Sequence, residues 1–193
     1  MNKKEIIWRE ILIKFAENKK IDFTQKALSQ KFGISMSTVF NALKIPRAIG
    51  AVEVRGRGFS LINFEKLLYL WATARNINKD TIYATHLSQT VREIEGNLPP
   101  QVVFGAYTAF KQKYKEVPAD YDKVYVYAEN DKEIKKRFPY QKGYFNLIVL
   151  QADKFLKDYG LVTADPQTFV DLWNLQDWYA HDFLKDLRRK MIK

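Results

Sequence analysis

The stretch Thr24-Gln25-Lys26-Ala27-Leu28-Ser29-Gln30-Lys31-Phe32-Gly33-Ile34-Ser35-Met36-Ser37-Thr38-Val39-Phe40-Asn41-Ala42-Leu43 decides how this chain is read. Thr24 can cap a helix, because its hydroxyl can accept from an amide that the first turn leaves unpaired. Ala27, Leu28 and Phe32 then fall inward at helical spacing. Gly33 ends that helix, since a residue without Cβ tolerates the positive φ of a tight turn. Ile34 plugs the turn from inside. Ser35 caps the next helix, which is read as running to about Ile45 with Val39, Ala42 and Leu43 inward. Ser29, a small residue four positions before the glycine, lets the two helices cross closely. This spacing is that of a helix-turn-helix, in which the outer face of the second helix projects far enough to enter a major groove about 12 Å wide. That face carries Ser35, Ser37, Thr38, Asn41 and Lys44. All are able to reach base edges or phosphates, and asparagine can pair with adenine through two hydrogen bonds.

Working outward, Ile7, Trp8, Ile11, Leu12 and Phe15 mark an amphipathic helix over 5–17, with Arg9, Glu10 and Lys14 on its polar side and Asn18-Lys19-Lys20 at its end. Downstream, Pro46 and Gly50 are read as ending the helical region. Two β-like runs follow, 51–54 and 59–62, around Arg55-Gly56-Arg57-Gly58, which has the glycines of a hairpin tip. Arg55 and Arg57 would sit on this wing, suited to a phosphate or a narrow minor groove. A further apolar helix runs from Asn63, a cap, to about Arg75. Residues 1–75 therefore read as a winged helix-turn-helix that binds duplex DNA.

The charge distribution agrees with a polyanion partner for this part. Residues 1–75 hold 14 Lys+Arg against 6 Asp+Glu, whereas the remaining 118 residues hold 18 against 16. Residues 76–80 are polar and mark the domain boundary. Over 80–193 the pattern alternates: strand 102–104, helix 106–114, strand 124–128, helix 131–138, strand 146–150, a short helix at 153–159, then helices 166–173 and 178–193. The fold class expected is α/β (α+β), with the second part a small α/β effector domain. The chain has no cysteine, which excludes disulfides, thiolate metal sites and cysteine nucleophiles. No leader and no apolar run of membrane length is read, and the expected location is the cytoplasm.

Outside the helix-turn-helix, three stretches carry a family resemblance. They are Val102-Val103-Phe104-Gly105-Ala106-Tyr107-Thr108-Ala109-Phe110, the strand 123–128, and Val162-Thr163-Ala164-Asp165-Pro166-Gln167-Thr168-Phe169-Val170-Asp171-Leu172. The last resembles a "proline, then Gln, aromatic, Asp-Leu" segment before a final helix, here with Ala180, Phe183, Leu184 and Leu187. The arrangement resembles the AbiEi-type antitoxin regulators of type IV toxin–antitoxin systems. That resemblance implies an autorepressor whose operon also encodes a nucleotidyltransferase-like toxin, which the regulator counteracts.

The strand–glycine–helix at 102–110 also resembles the opening of a minimal nucleotidyltransferase. Such an enzyme needs a Gly-Gly or Gly-Ser turn and two carboxylates one residue apart on the next strand, to hold magnesium. Here the turn is Gly105-Ala106, and the strand offers Lys123-Val124-Tyr125. Asp120 and Asp122 have the spacing but precede the strand. A degenerate nucleotidyltransferase fold without the chemistry is expected, with no catalytic residue, no metal and no cofactor. His86 and His181 have no metal-ligand spacing. Glu129, Asp131 and Glu133 suit a helix start. Tyr121, Tyr125 and Tyr127 alternate and are read as packing beneath the last helices, which Trp173 and Trp178 would join.

The function expected is a sequence-specific DNA-binding transcriptional regulator. Its partners would be operator or promoter DNA, a second copy of the chain, and the toxin that the resemblance implies. The second domain would supply dimerisation, neutralisation or ligand sensing. The rival readings are a winged-helix adaptor that contacts protein and an active nucleotidyltransferase.

Overall fold

In a computed structural model the structure describes residues 1–56 and 58–192, and these form a mixed α/β chain with two separate sheets. It divides into two compact units, Met1–Arg75 and Asn76–Lys193.

In the first unit, α1 (Lys3–Asn18) starts on a capping box, with Asn2 accepting from the amides of Lys4 and Glu5 while Glu5 accepts from the amide of Asn2. A two-residue strand, β1 (Asp22–Phe23), follows. Then come α2 (Gln25–Phe32), α3 (Met36–Ala48), the hairpin β2 (Val52–Arg55) and β3 (Gly58–Leu61), and α4 (Phe64–Ala74). The sheet order is β1-β3-β2, all antiparallel. β1 is too short to be read from periodicity, and its pairing is tertiary: Asp22 faces Ser60, and the Ser60 hydroxyl donates to the Asp22 carboxylate. Gly58 permits that approach, since a Cβ there would lie 2.5 Å from the carbonyl oxygen of Phe23.

Three expectations for this unit change. Arg9 and Glu10 are buried on α1, not on a polar side, and Ala27 is exposed. α1 is packed by α3 and α4 over more of its circumference than a one-sided stripe allows. Glu5 and Glu10 go in with cations: Glu5 lies 3.6 Å from Arg75 and accepts from the Trp71 indole, and Glu10 pairs with Lys31 at 2.6 Å. Pro46 does not end the third helix, which runs through it to Ala48. Proline removes the amide that would bond the carbonyl of residue 42. The Trp8 indole N–H from α1 donates to that carbonyl at 2.8 Å, and Pro46 is itself buried.

The second unit begins with a 3-10 turn (Ile77–Asp80) and contains β4 (Thr81–Thr85), α5 (Val91–Asn97), β5 (Val103–Phe104), α6 (Ala106–Tyr114), β6 (Val124–Ala128), α7 (Lys132–Arg137), β7 (Leu147–Gln151), a second 3-10 turn (Leu156–Tyr159), α8 (Asp165–Trp173) and α9 (Ala180–Met191). The sheet order is β4-β7-β6-β5, with β6 and β7 parallel and both outer pairs antiparallel. One face, with Val124, Val126, Leu147 and Val149, packs on Ile94 of α5 and Ile134 of α7. Because side chains alternate along a strand, Tyr125 and Tyr127 point to the opposite face, where the Tyr127 hydroxyl donates to Asp171 of α8 at 2.7 Å.

Several local expectations change here. The strand at 146–150 lies one residue later, and the helix at 153–159 shortens to a 3-10 turn. Tyr121 precedes β6 and so is not on the strand. Asp131 makes no side-chain cap bond and pairs with Lys135 instead. Trp178 is 78% exposed, so it does not join the last helices. Phe183 of α9 packs against Tyr107 and Phe110 of α6, and the Tyr107 hydroxyl donates to Asp177 before α9. Among the described residues no helix is long and apolar enough to cross a membrane.

Candidate nucleic-acid interface

The turn between α2 and α3 sets the direction of the exposed α3 face. Gly33 caps α2 with φ 60°, and the Ser29 hydroxyl donates back to the carbonyl of Ile34. The small residue at position 29 therefore ties the corner as well as leaving room for it. Val39, Ala42, Leu43 and Pro46 form the buried side of α3. The side opposite them centres on Ser37, Asn41, Lys44 and Ala48, all exposed. At its C-terminal end the Lys66 ammonium donates to the carbonyl of Ile49 at 3.0 Å, where a cation favours the helix dipole.

The expected contact residues divide into three groups. Ser35 caps α3 by accepting from the amide of Thr38, and its oxygen also lies 2.9 Å from the hydroxyls of both Ser37 and Thr38. These three hydroxyls satisfy one another and define the helix start. Asn41 and Lys44 extend outward, and the Asn41 side-chain amide makes no hydrogen bond to another described residue. Arg55, at the base of the hairpin tip, pairs with Glu53 through its Nε at 2.7 Å and its guanidinium at 2.6 Å. Both side chains are exposed, and an exposed pair of this kind stabilises by about 0–1 kcal/mol. A phosphate can therefore displace Glu53. Arg57 lies outside the described residues.

The sequence reading passed over three residues on the same face. Met36 is 53% exposed, Phe40 is 41% exposed, and Arg47 is exposed beside them. Lys44 Nζ lies 5.6 Å from the centre of the Phe40 ring, and the Arg47 guanidinium carbon lies 6.0 Å from it. Such distances suit attraction between a cation and the ring face. The available signal was their spacing: Met36 and Phe40 are four apart, Phe40 and Arg47 seven apart, and none coincides with the buried set. A cleft of about 390 Å³ between the hairpin and α2 is lined by Lys20, Thr24, Arg55 and Gly58 among others.

The electrostatics of the unit favour an anion. α3 has no acidic residue, and two of the six acids in residues 1–75, Glu5 and Glu10, are buried against cations.

The second unit contains a cleft of about 280 Å³, lined by Asn78, Lys123, Tyr125, Phe145, Asn174 and Asp177 among others. The two positions on the β6 side where a nucleotidyltransferase would carry carboxylates are Lys123 and Tyr125. The Lys123 ammonium is ion-paired with Asp177. Asp122 accepts from the Tyr179 hydroxyl, and Asp120 is an exposed loop residue. Among the described residues no group of three or more acidic or histidine side chains is placed to hold a metal ion. His86 Nδ1 lies 2.8 Å from the carbonyl oxygen of Tyr144, and His181 is exposed. Burial, followed by the neighbouring Asp177 charge, raises the Tyr107 and Tyr125 hydroxyls above their ordinary pKa.

Comparison of the chain with protein-family models, with curated proteins and with solved structures finds no match in any of the three.

Proposed function

We propose that this chain is a sequence-specific regulator of transcription that binds duplex DNA through a winged helix-turn-helix in residues 1–75. The observation that carries the reading is the outward side of α3. It is a helix face behind a glycine corner, with Asn41 and Lys44 exposed, no acidic residue, and a hairpin with Arg55 in the same unit. The element order α1-β1-α2-α3-β2-β3, with the strand order β1-β3-β2, supports the same reading.

In this mechanism α3 lies in the major groove, where Asn41 pairs with a base edge. Lys44 and Arg47 reach phosphates on either side. The hairpin arginine leaves Glu53 for the adjoining backbone or minor groove. A protein so placed over a promoter excludes polymerase. Autorepression follows where that promoter is its own, and action against a nucleotidyltransferase-like toxin remains part of the proposal as the second unit's task.

For the second unit, β5 leads through Gly105 into α6, β5 pairs antiparallel with β6, and β6 pairs parallel with β7. This order supports a nucleotidyltransferase-like scaffold. Lys123 and Tyr125 at the carboxylate positions support a scaffold that binds or dimerises and does not transfer nucleotides.

The test is a titration of the full chain with duplex DNA from upstream of its own gene and with an unrelated duplex, at several salt concentrations. Lys44→Ala and Arg55→Ala should each flatten the log–log salt slope by roughly 0.9, the loss of one phosphate contact. Asn41→Ala should cost about 1–3 kcal/mol on the preferred duplex only. Binding that is insensitive to salt, or absent from both duplexes at low salt, refutes the reading.

A further inference from the structure

Resting on that reading, we infer that α3 selects thymine, through apolar contact of Phe40 and Met36 with the C5-methyl group in the major groove. Phe40 and Met36 are four residues apart and so lie one above the other on a helix. Beside them runs the polar pair Ser37 and Asn41, at the same spacing. The exposed side of α3 thus presents an apolar row next to a hydrogen-bonding row.

Neither apolar side chain is needed inside. Val39, Ala42, Leu43 and Pro46 fill the buried side, whereas Met36 and Phe40 stay half in water. Arg47 and Lys44 flank the ring at 6.0 and 5.6 Å, which brackets the apolar spot with the charges that a phosphate backbone requires.

A major groove offers one kind of apolar group on its floor, the thymine methyl. The larger groups otherwise presented there are hydrogen-bond donors and acceptors, and cytosine has only a hydrogen where thymine has its methyl. The neighbouring Asn41 is suited to adenine N6 and N7. The two rows therefore read opposite partners of A·T pairs, asparagine on the purine and the aromatic ring on the methyl of the same or the next pair. The helix carries cations and no acid, so its charge matches duplex DNA, while an acidic or neutral protein groove has no need of the adjoining asparagine row. Burying one methyl group is worth roughly a fourfold change in affinity, and contacts to two methyls multiply.

The experiment isolates the methyl. Duplexes are selected by the full chain from a random-sequence pool, and the selected sequences are synthesised twice, once with thymidine and once with deoxyuridine, which lacks only the methyl. Wild type should bind the deoxyuridine form several-fold more weakly with an unchanged salt slope. Met36→Ala/Phe40→Ala should bind both forms equally, and Phe40→Ala alone should keep only the smaller difference that Met36 supplies. Phe40 is exposed, so far-ultraviolet circular dichroism of the variants should match wild type. Equal affinity of wild type for the two forms, with salt-dependent binding intact, overturns thymine selection and leaves the DNA-binding reading standing. A thymine preference that persists in Met36→Ala/Phe40→Ala also overturns it, by assigning the effect to DNA shape. No selection of any duplex at low salt overturns both readings and gives the apolar row to a protein partner.

Discussion

The α1–α3 contact is the most exacting test of how α3 is held. Ala42 is buried, and the amide that would ordinarily bond its carbonyl belongs to residue 46, a proline. The Trp8 indole supplies the missing donor at 2.8 Å from a nearly fully buried side chain. Trp8→Phe keeps an aromatic ring in place but deletes that donor. A buried acceptor left unpaired costs about 1–3 kcal/mol, and the smaller ring adds a packing loss, for a total of about 2–4 kcal/mol. Pro46→Ala restores an amide at position 46, so the carbonyl regains a donor within its own helix. In that background Trp8→Phe should lose only the packing part. The expected coupling in the double-mutant cycle is therefore about 1–3 kcal/mol, and the double mutant should be more stable than the two single effects sum to. Urea unfolding followed by circular dichroism measures each corner of the cycle. Strict additivity would refute the reasoning, since it would mean that the indole and the position 46 amide do not serve the same oxygen. DNA affinity should fall in Trp8→Phe at constant salt slope, because a loosened α3 costs orientation and not charge.

Three further outcomes are expected. Glu5→Gln removes the charge from a buried carboxylate that faces Arg75 at 3.6 Å and accepts from the Trp71 indole. Breaking such a pair on one side should cost about 3–5 kcal/mol in thermal or urea unfolding, and a loss under 1 kcal/mol would show the pair to be dispensable. Ala106 starts α6 at φ 45°, a backbone region costing a residue with a Cβ about 1–2 kcal/mol. After the greater chain entropy of glycine is subtracted, Ala106→Gly should stabilise by up to about 1 kcal/mol, read as a raised midpoint of unfolding, and a lowered midpoint would count against the strain. Burial raises the Tyr107 and Tyr125 hydroxyls, so the folded chain holds protons that the unfolded chain releases near pH 10. Their contribution is fully present below that pH and declines as pH rises beyond it. Phenolate absorbance should lag for these residues and then appear together with unfolding. A smooth titration of all eleven tyrosines in the still-folded chain would contradict this.

The parts of the fold that the sequence disclosed are those set by local chemistry. Thr24, Ser35 and Asn63 each cap the helix expected of them, because a cap is an interaction over three residues. α6 and β6 likewise fall at the bounds their patterns imply. What was hidden depends on partners distant in sequence. β1 exists only through β3, and β4 has neither strict alternation nor a turn signal and is held by β7. Thr90 and Glu93 form a capping box at α5, but the helix has only seven residues, too few for a periodic stripe to stand out. The proline inside α3 is the plainest case. Locally it ends a helix, and the helix continues with the Ala42 carbonyl bonded by a tryptophan 34 positions upstream of Ala42. At the proposed interface, Asn41, Lys44 and Arg55 come from asking which polar residues face out. Met36 and Phe40 were missed because apolar residues on a helix are read as core by default.

That default has a physical limit in a unit of 75 residues. α3 presents only one side to the interior, and Val39, Ala42, Leu43 and Pro46 already occupy it, over a core that includes Ile7, Ile11, Leu28 and Trp71. Turning Phe40 inward would rotate the helix by about a third of a turn. The rotation would expose Ala42 and carry its carbonyl away from the Trp8 indole. The hydrogen bond that allows Pro46 to sit within the helix therefore also fixes which residues face out. In the proposed complex, Trp8 is the positioning residue for Asn41 and Phe40 together. The two effects separate experimentally: Met36→Ala/Phe40→Ala should abolish thymine preference with stability unchanged, whereas Trp8→Phe should weaken binding to thymidine and deoxyuridine duplexes alike. A Trp8→Phe chain that bound as tightly as wild type would show that α3 keeps its rotation without the indole, and would move the control of its outward face to the Gly33 corner.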